Sequence, residues 1–271
     1  MAVKGLQAAA KLMHQQYIYD TKFLPYGSQL IPLAAIFAEL GVEATSALAR
    51  QRISRWLWCG ILGELYGGTT ETRFARDLPE VTDWVRRGIT EPRTIQEAQF
   101  TLGRLDTLRT RGSAAYKGLY ALLMKQGAVD WRTGEPMSVI TYFDEYVDIH
   151  HIFPRAWCEK EGIDPHTYNS IVNKTPLTAR TNRVIGGWAP SKYLPRLTNS
   201  AGLQRDQVES NIATHAVGVD ALAADDFTRF YLDRRESLLK LVASAMGKDV
   251  ARESSDEPEV IDDPDGPGEG E

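Results

Sequence analysis

Residues 146–194 read YVDIHHIFPRAWCEKEGIDPHTYNSIVNKTPLTARTNRVIGGWAPSKYL, and no other stretch limits the fold as much. Tyr146-Val147-Asp148-Ile149 is β-prone, and Pro154 ends the run because proline lacks a backbone donor and fixes φ. A second short run follows at Ile171-Val172-Asn173-Lys174-Thr175-Pro176-Leu177. Thr178 stands where an N-cap belongs, ahead of a helix starting at Ala179 and Arg180. Gly186-Gly187 stops that helix. The predicted order is strand, loop, strand, helix.

The polar residues fall at consistent places on this frame. His150 and His151 end the first strand, Asn173 sits in the second, and Asn182 lies one turn into the helix. Asp148 shares a strand face with His150. A helix packed across the hairpin brings Asn182 opposite the histidines. One imidazole then serves as metal ligand, the other as base, and an amide oxygen as second ligand, a set suited to metal-assisted phosphodiester cleavage. A hairpin and helix with no chemistry is the competing reading, since a His-His pair alone is weak. The pair followed by Ile-Phe-Pro, then Asn, then Thr-x-x-x-Asn-Arg, is far more specific.

On those residues the stretch resembles the HNH, or ββα-metal, endonucleases, and the block from Asn173-Lys174 through Leu177-Thr178 to Asn182-Arg183 is similar to the HNH nuclease domain of Cas9. The resemblance implies His151 as general base and His150 and Asn182 as metal ligands. It implies Asn173 as the middle Asn, tying the hairpin loop together through its amide. The pattern is His-Asn-Asn rather than His-Asn-His. His150 stands where such enzymes often carry a carboxylate, and Asp148 is a further ligand or an orienting group. One divalent ion, Mg²⁺ or Mn²⁺, is expected.

The 271-residue chain is 43% hydrophobic, enough for a sizeable core and one or two domains. Cys59 and Cys158 give no disulfide framework and no Cys-x-x-Cys metal site, which fits a reducing cytoplasm. No apolar run reaches the length of a membrane span, and no signal peptide is evident, so a cytoplasmic protein with no membrane partner is expected. The net charge of −5 argues against a nucleic-acid partner only on its surface. From Arg252 to Glu271 there are nine acids and one base, a net of −8, which leaves +3 for the rest. Residues 148–196 hold seven Lys/Arg against four Asp/Glu, placing the positive excess where phosphate would dock.

Along the chain, residues 4–20 have helical spacing, and Gln29 to Leu40 reads as a buried helix stopped by Gly41, with Ser28 as its cap. Glu43 to Tyr66 reads as one long helix closed by Gly67-Gly68. Its Arg50, Arg52, Arg55, Trp56 and Trp58 could bind phosphate and bases or form an ordinary core helix with snorkelling arginines, and the second reading is preferred. Asp77-Leu-Pro-Glu80 resembles a capping-box start of a helix to Arg87. Arg104 to Lys117 is a basic stretch that could touch a DNA backbone, with Ser113 capping a helix to Lys125. Asp130 to Met137 is a turn-rich link. Pro195 is expected to break the chain direction. Helices are expected over 205–217 and 225–246, the second capped by Asp225. His14, His166 and His215 are assigned structural or surface places, although His166 could reach the substrate. The tail is rich in Asp, Glu, Pro and Gly and should be disordered.

The helical flanks carry a broader resemblance. Arg55-Trp56-Leu57-Trp58, Arg111-Gly-Ser-Ala-Ala-Tyr116 and Phe227-Thr-Arg-Phe230 are similar to the C-terminal half of GmrSD-type modification-dependent restriction proteins. That likeness implies an upstream ParB/sulfiredoxin-like nucleotide-binding domain or subunit, whose Asp-Gly-Gln-Gln-Arg signature does not occur here, so this chain resembles the nuclease half alone. The expected fold is mainly α with a small α+β module, an HNH ββα-metal motif embedded between helical layers. Its expected parts are a helical domain (1–135), the nuclease module (136–200), C-terminal helices packed on the core (201–250) and an acidic tail (251–271). The expected activity is divalent-metal-dependent hydrolysis of DNA in defence against foreign or modified DNA, with Arg180, Arg183 and Lys192 contacting phosphate. A silent nucleic-acid-binding or regulatory subunit of a restriction system, and an RNase, remain alternatives.

Overall fold

The protein is described by a computed structural model over residues 2–19, 21–68, 71–137 and 148–252. The start of the first expected strand (146–147) and most of the expected acidic tail lie outside the described residues. The chain is mainly helical with a small two-stranded antiparallel sheet. The N-terminal half runs α1 (Ala2–Gln15), α2 (Leu30–Leu40), α3 (Ala47–Leu62), α4 (Glu71–Arg87), α5 (Arg93–Glu97), α6 (Leu102–Thr107) and α7 (Ala114–Lys125). The sheet region follows as β1 (Asp148–His151), α8 (Arg155–Lys160), α9 (Pro165–Tyr168), β2 (Lys174–Leu177) and α10 (Ala179–Ile185). The chain closes with α11 (Pro190–Ala201), α12 (Arg205–Ala213), α13 (Val219–Ala223) and α14 (Phe227–Met246).

Two buried clusters make the core. The first gathers Leu33, Ile53, Trp56, Trp58 and Leu119 with Leu238 and Val242 of α14. The second surrounds Phe153 with Trp131, Tyr193, Leu197, Ile212 and Phe230, and it also takes in Phe23, Tyr120 and Met124 from the N-terminal half. The sheet unit is therefore not packed by its own residues alone. Helix α14 belongs to both clusters, so one rod ties the two halves together. The tryptophans and arginines of α3 form an ordinary core helix: Trp56 and Trp58 are buried, and Arg52 donates to the carbonyls of Trp84 and Val85 at the end of α4.

Several local expectations are corrected by long-range packing. The long helix expected from Glu43 is split. A 3₁₀ turn covers Gly41–Thr45, and Ser46, not an earlier residue, caps α3 by accepting from the Ala49 amide. Asp77 caps nothing: it lies buried inside α4, accepting from the hydroxyls of Tyr66 and Thr94. Pro79 sits within the same helix, which continues because Val81, Trp84 and Val85 bury against the core. Pro195 lies inside α11, where the burial of Tyr193 and Leu197 outweighs one missing backbone bond. Asp226 caps α14, while Asp225 has φ +53° and binds Ser191 at the start of α11. The basic stretch from Arg104 is tied into the fold, with Arg104 paired to Glu64 and Lys117 donating to the Leu24 carbonyl.

Candidate active site

Strands β1 and β2 pair antiparallel, with Asp148 opposite Leu177, Ile149 opposite Pro176, His150 opposite Thr175 and His151 opposite Lys174. Strand alternation puts His150, Thr175 and Leu177 on one face and Ile149, His151, Lys174 and Pro176 on the other, while the side chain of Asp148, the further ligand expected from sequence, lies outside what the structure describes. The two histidines thus leave the ribbon on opposite faces. A group touching both must sit at the end of β1, where the chain turns through Ile152-Phe153-Pro154.

That turn is held from several directions. The Asn173 side chain is buried in a 3₁₀ turn at the threshold of β2, rather than in the strand as expected. Its Oδ1 accepts from the Phe153 amide at 2.8 Å, and its Nδ2 donates to the carbonyls of Phe153 at 2.9 Å and Tyr168 at 3.0 Å. One amide thereby fastens both ends of the loop between the strands. From α11, the buried Tyr193 hydroxyl donates to the Ile152 carbonyl at 3.0 Å. The Phe153 ring beneath packs on Trp157, Phe227 and Phe230.

His151 and His150 are both half-buried. The His151 Nε2–H donates to Asn169 Oδ1 at 3.0 Å, because an amide oxygen can only accept. In that tautomer the ring's lone pair is on Nδ1. Asn169 follows α9 directly, and nothing in its local sequence points to His151. On the opposite face, Thr175 across from His150 is buried and donates to His215 Nδ1 at 2.7 Å, while His215 Nε2–H donates to the Val129 carbonyl at 2.7 Å. His215 is fully buried, and desolvation pulls its pKa down to about 4 despite the bond to Val129, with the Arg234 charge adding to the shift. It is a structural, neutral imidazole.

The helix that carries Asn182 starts as expected. Thr178 caps α10 by accepting from the Thr181 amide at 3.2 Å. Gly186, at φ +53°, ends it with its amide donating to the Asn182 carbonyl at 2.9 Å. What the sequence reading missed is Asp130. Its buried carboxylate accepts from the hydroxyls of Thr178 and Thr181, each at 2.8 Å, and from the amides of Arg132 and Thr133. The local half of this set is an Asx turn legible in Asp130-Trp-Arg-Thr-Gly134. The other half is remote in sequence. Asn182 is half-buried, and its amide has no hydrogen-bond partner among the described residues, so its oxygen is available as a donor atom.

Arg180, Arg183 and Lys192 are exposed, and none forms an ion pair among the described residues. Also among the described residues, no three His, Cys, Asp or Glu side chains come together to hold a metal ion. By donor chemistry alone, a His150 imidazole nitrogen and the Asn182 amide oxygen are types that suit a divalent ion retaining several waters. No helix among the described residues is long and apolar enough to cross a membrane.

An uncharacterised protein of Methanocaldococcus jannaschii is 26% identical over 198 residues, which cover 70% of this chain and 32% of that protein. The chain thus spans about a third of the length of the curated relative it matches. No family model and no solved structure matches.

Proposed function

We propose that this chain is an HNH-type, divalent-metal-dependent endonuclease that hydrolyses DNA phosphodiester bonds, acting in defence against foreign or modified DNA. The observation that supports it best is the strand–loop–strand–helix unit whose loop is fastened by Asn173, with His150 and His151 closing β1 and Asn182 projecting unbonded from α10. In this reading Asn173 is a positioning residue, and the catalytic set is His151, His150 and Asn182. Asp148 is a further candidate ligand. A divalent ion held by His150 and Asn182 would neutralise charge on the phosphate and on the leaving 3′ oxygen. His151, oriented by Asn169, takes the proton of the attacking water at Nδ1. The water oxygen bonds to phosphorus, the bond to the 3′ oxygen breaks, and the leaving 3′ oxygen takes a proton from solvent, so the products are a 5′-phosphate and a 3′-hydroxyl. Arg180, Arg183 and Lys192 supply positive charge for neighbouring phosphates.

The test is nicking of plasmid, modified phage DNA and RNA with Mg²⁺, Mn²⁺ or chelator. Metal-dependent cutting of DNA is expected, lost in His151→Ala. Alanine at His150 or Asn182 should raise the metal concentration needed. Binding without cutting in any metal would leave a silent binding module, and cutting of RNA alone would make the chain an RNase.

A further inference from the structure

Trp188 is half exposed, at 50% of its full surface, immediately after the glycines that end α10. Buried tryptophans dominate this protein, so a large apolar ring left in water calls for a reason. Gly186 makes the bend behind it, with a φ of +53° that a side chain would strain. The Arg196 guanidinium lies over the ring, 4.3 Å from its centroid. Trp188, Lys192 and Arg196 are spaced by four, so they line one face of α11 and its lead-in. One side of the indole is thus backed by a cation while half of the residue remains open to solvent.

The charge on this stretch of chain is one-signed. From Pro165 to Arg205 there is no Asp or Glu, while six Lys and Arg occur. Lys174 is buried and bonded to the Arg109 carbonyl, and Arg205 pairs with Glu209. Arg180, Arg183, Lys192 and Arg196 remain, all exposed and without an ion pair among the described residues. The carboxylates bonded to α10 and α11 among the described residues are Asp130 and Asp225, both engaged at helix starts. Elsewhere on the surface arginines are commonly paired, as Arg86 is with Glu39 and Glu43 and Arg93 with Glu80.

We infer that the Trp188–Arg196 stack is a platform for an unstacked DNA base, with Arg180, Arg183 and Lys192 holding the flanking phosphates, so that the chain prefers single-stranded or locally opened DNA to intact duplex. An aromatic face backed by a guanidinium stacks on any base, and the unpaired cations track the backbone. In a closed duplex every base face is already covered, so the indole gains nothing there. The inference rests on the nuclease reading for the identity of the polymer, and its test is read by binding alone.

The experiment is fluorescence anisotropy in chelator, where no cutting occurs, with a labelled single-stranded oligonucleotide and the same sequence as duplex. Trp188→Ala should weaken binding to the single strand roughly tenfold or more, the size of one lost base stack, and change duplex binding by less than about threefold. Trp188→Phe should keep most of the affinity, and circular dichroism should report an intact fold because the ring is half in solvent. Acrylamide quenching of the exposed indole should fall when single-stranded DNA is added to the native chain. Equal affinities of Trp188→Ala and native protein for the single strand overturn the inference, as do equal losses on both DNAs or a native chain that binds neither. Binding through Trp188 with no cutting in any metal sinks the nuclease reading alone. Cutting with Trp188→Ala binding unchanged sinks the platform alone.

Discussion

Asp130 Oδ2 accepts the Thr178 hydroxyl at 2.8 Å, while that same hydroxyl oxygen accepts the Thr181 amide at 3.2 Å. A residue in a turn after α7 thereby sets where α10 begins, 48 residues later in sequence. Thr181 adds its own hydroxyl to Asp130 Oδ1 at 2.8 Å. The cap of α10 is thus a buried network rather than a local motif, and the position of Asn182 depends on a carboxylate outside the ββα unit.

Removing that carboxylate strands several buried donors at once, each costing about 1–3 kcal/mol when left unmade. Asp130→Ala is expected to cost about 3 kcal/mol or more of folding stability, and Thr178→Ala about 1–2 kcal/mol through loss of the cap. The double variant should cost less than the sum, because both changes remove the same bond. Urea unfolding of the three variants measures this, and strict additivity would count against a shared network.

Arg234 supports a second prediction, from the backbone around Asn173. It is buried in α14 and donates to the carbonyls of Ile171, Val172, Lys174 and His215. Burial pushes its pKa down to about 9, and no carboxylate pairs with it among the described residues. The guanidinium fork holds the backbone on both sides of Asn173. Arg234→Met should therefore destabilise the fold by about 3 kcal/mol or more, since buried carbonyls lose their donors. Arg234→Lys should rescue only part, because an ammonium cannot reproduce the fork. Hydrogen exchange of the amides of residues 171–174 should accelerate in both variants, most in Arg234→Met.

Contrasts of this kind mark what could be read in the chain. The start of α10 at Thr178 and its end at Gly186 were legible because capping and left-handed glycine are local chemistry. The two short strands were legible in outline, although Ile171–Asn173 forms a 3₁₀ turn and not the first half of β2. The prolines misled: Pro79 read as part of a helix start and Pro195 as a break, but buried neighbours carry both helices through them. Asp225 and Asp226 are adjacent candidate caps, and only the fold shows that one caps α14 while the other reaches Ser191. Asn169, Asp130 and Arg234 were not legible as parts of the site, since each acts across 18, 48 and about 60 residues. Such contacts depend on where helices dock, which periodicity does not encode.

His215 should give the fold a specific acid sensitivity. Its pKa of about 4 in the folded chain lies below the ordinary value of 6.5. Above pH 6.5 both folded and unfolded chains keep it neutral, and its contribution is complete. As the pH falls below that value, the unfolded chain takes up a proton that the folded chain refuses, so stability declines until about pH 4. The shift corresponds to about 3 kcal/mol in total, at most about 1.4 kcal/mol per pH unit. His215→Gln can still donate to Val129 and accept from Thr175 but cannot titrate. Its stability, measured by urea unfolding across pH 4 to 7, should fall less steeply than that of the native chain; parallel profiles would remove His215 as the source.

The bond between His151 and Asn169 separates the base from its support. Loss of a general base typically costs about 10²–10⁴-fold in rate, and His151→Ala should fall near the upper end while keeping fold and DNA affinity. Asn169 bears on the reaction only through the imidazole it bonds, so its loss should be milder and should leave a different trace. Without the acceptor at Nε2, the ring is free to adopt the other tautomer and to turn, so the lone pair is on Nδ1 only part of the time. Asn169→Ala is expected to lower kcat by roughly tenfold with KM little changed. Its pH–rate profile should also move its acidic limb to lower pH, because the base works only when unprotonated and an acceptor at Nε2 raises the basicity of the ring. Asn169→Asp keeps an acceptor there and should recover most of the rate, moving that limb to higher pH. A purely structural role for Asn169 would lower stability and leave the limb where it is, so single-turnover nicking of these three variants across pH, alongside their unfolding curves, distinguishes the two.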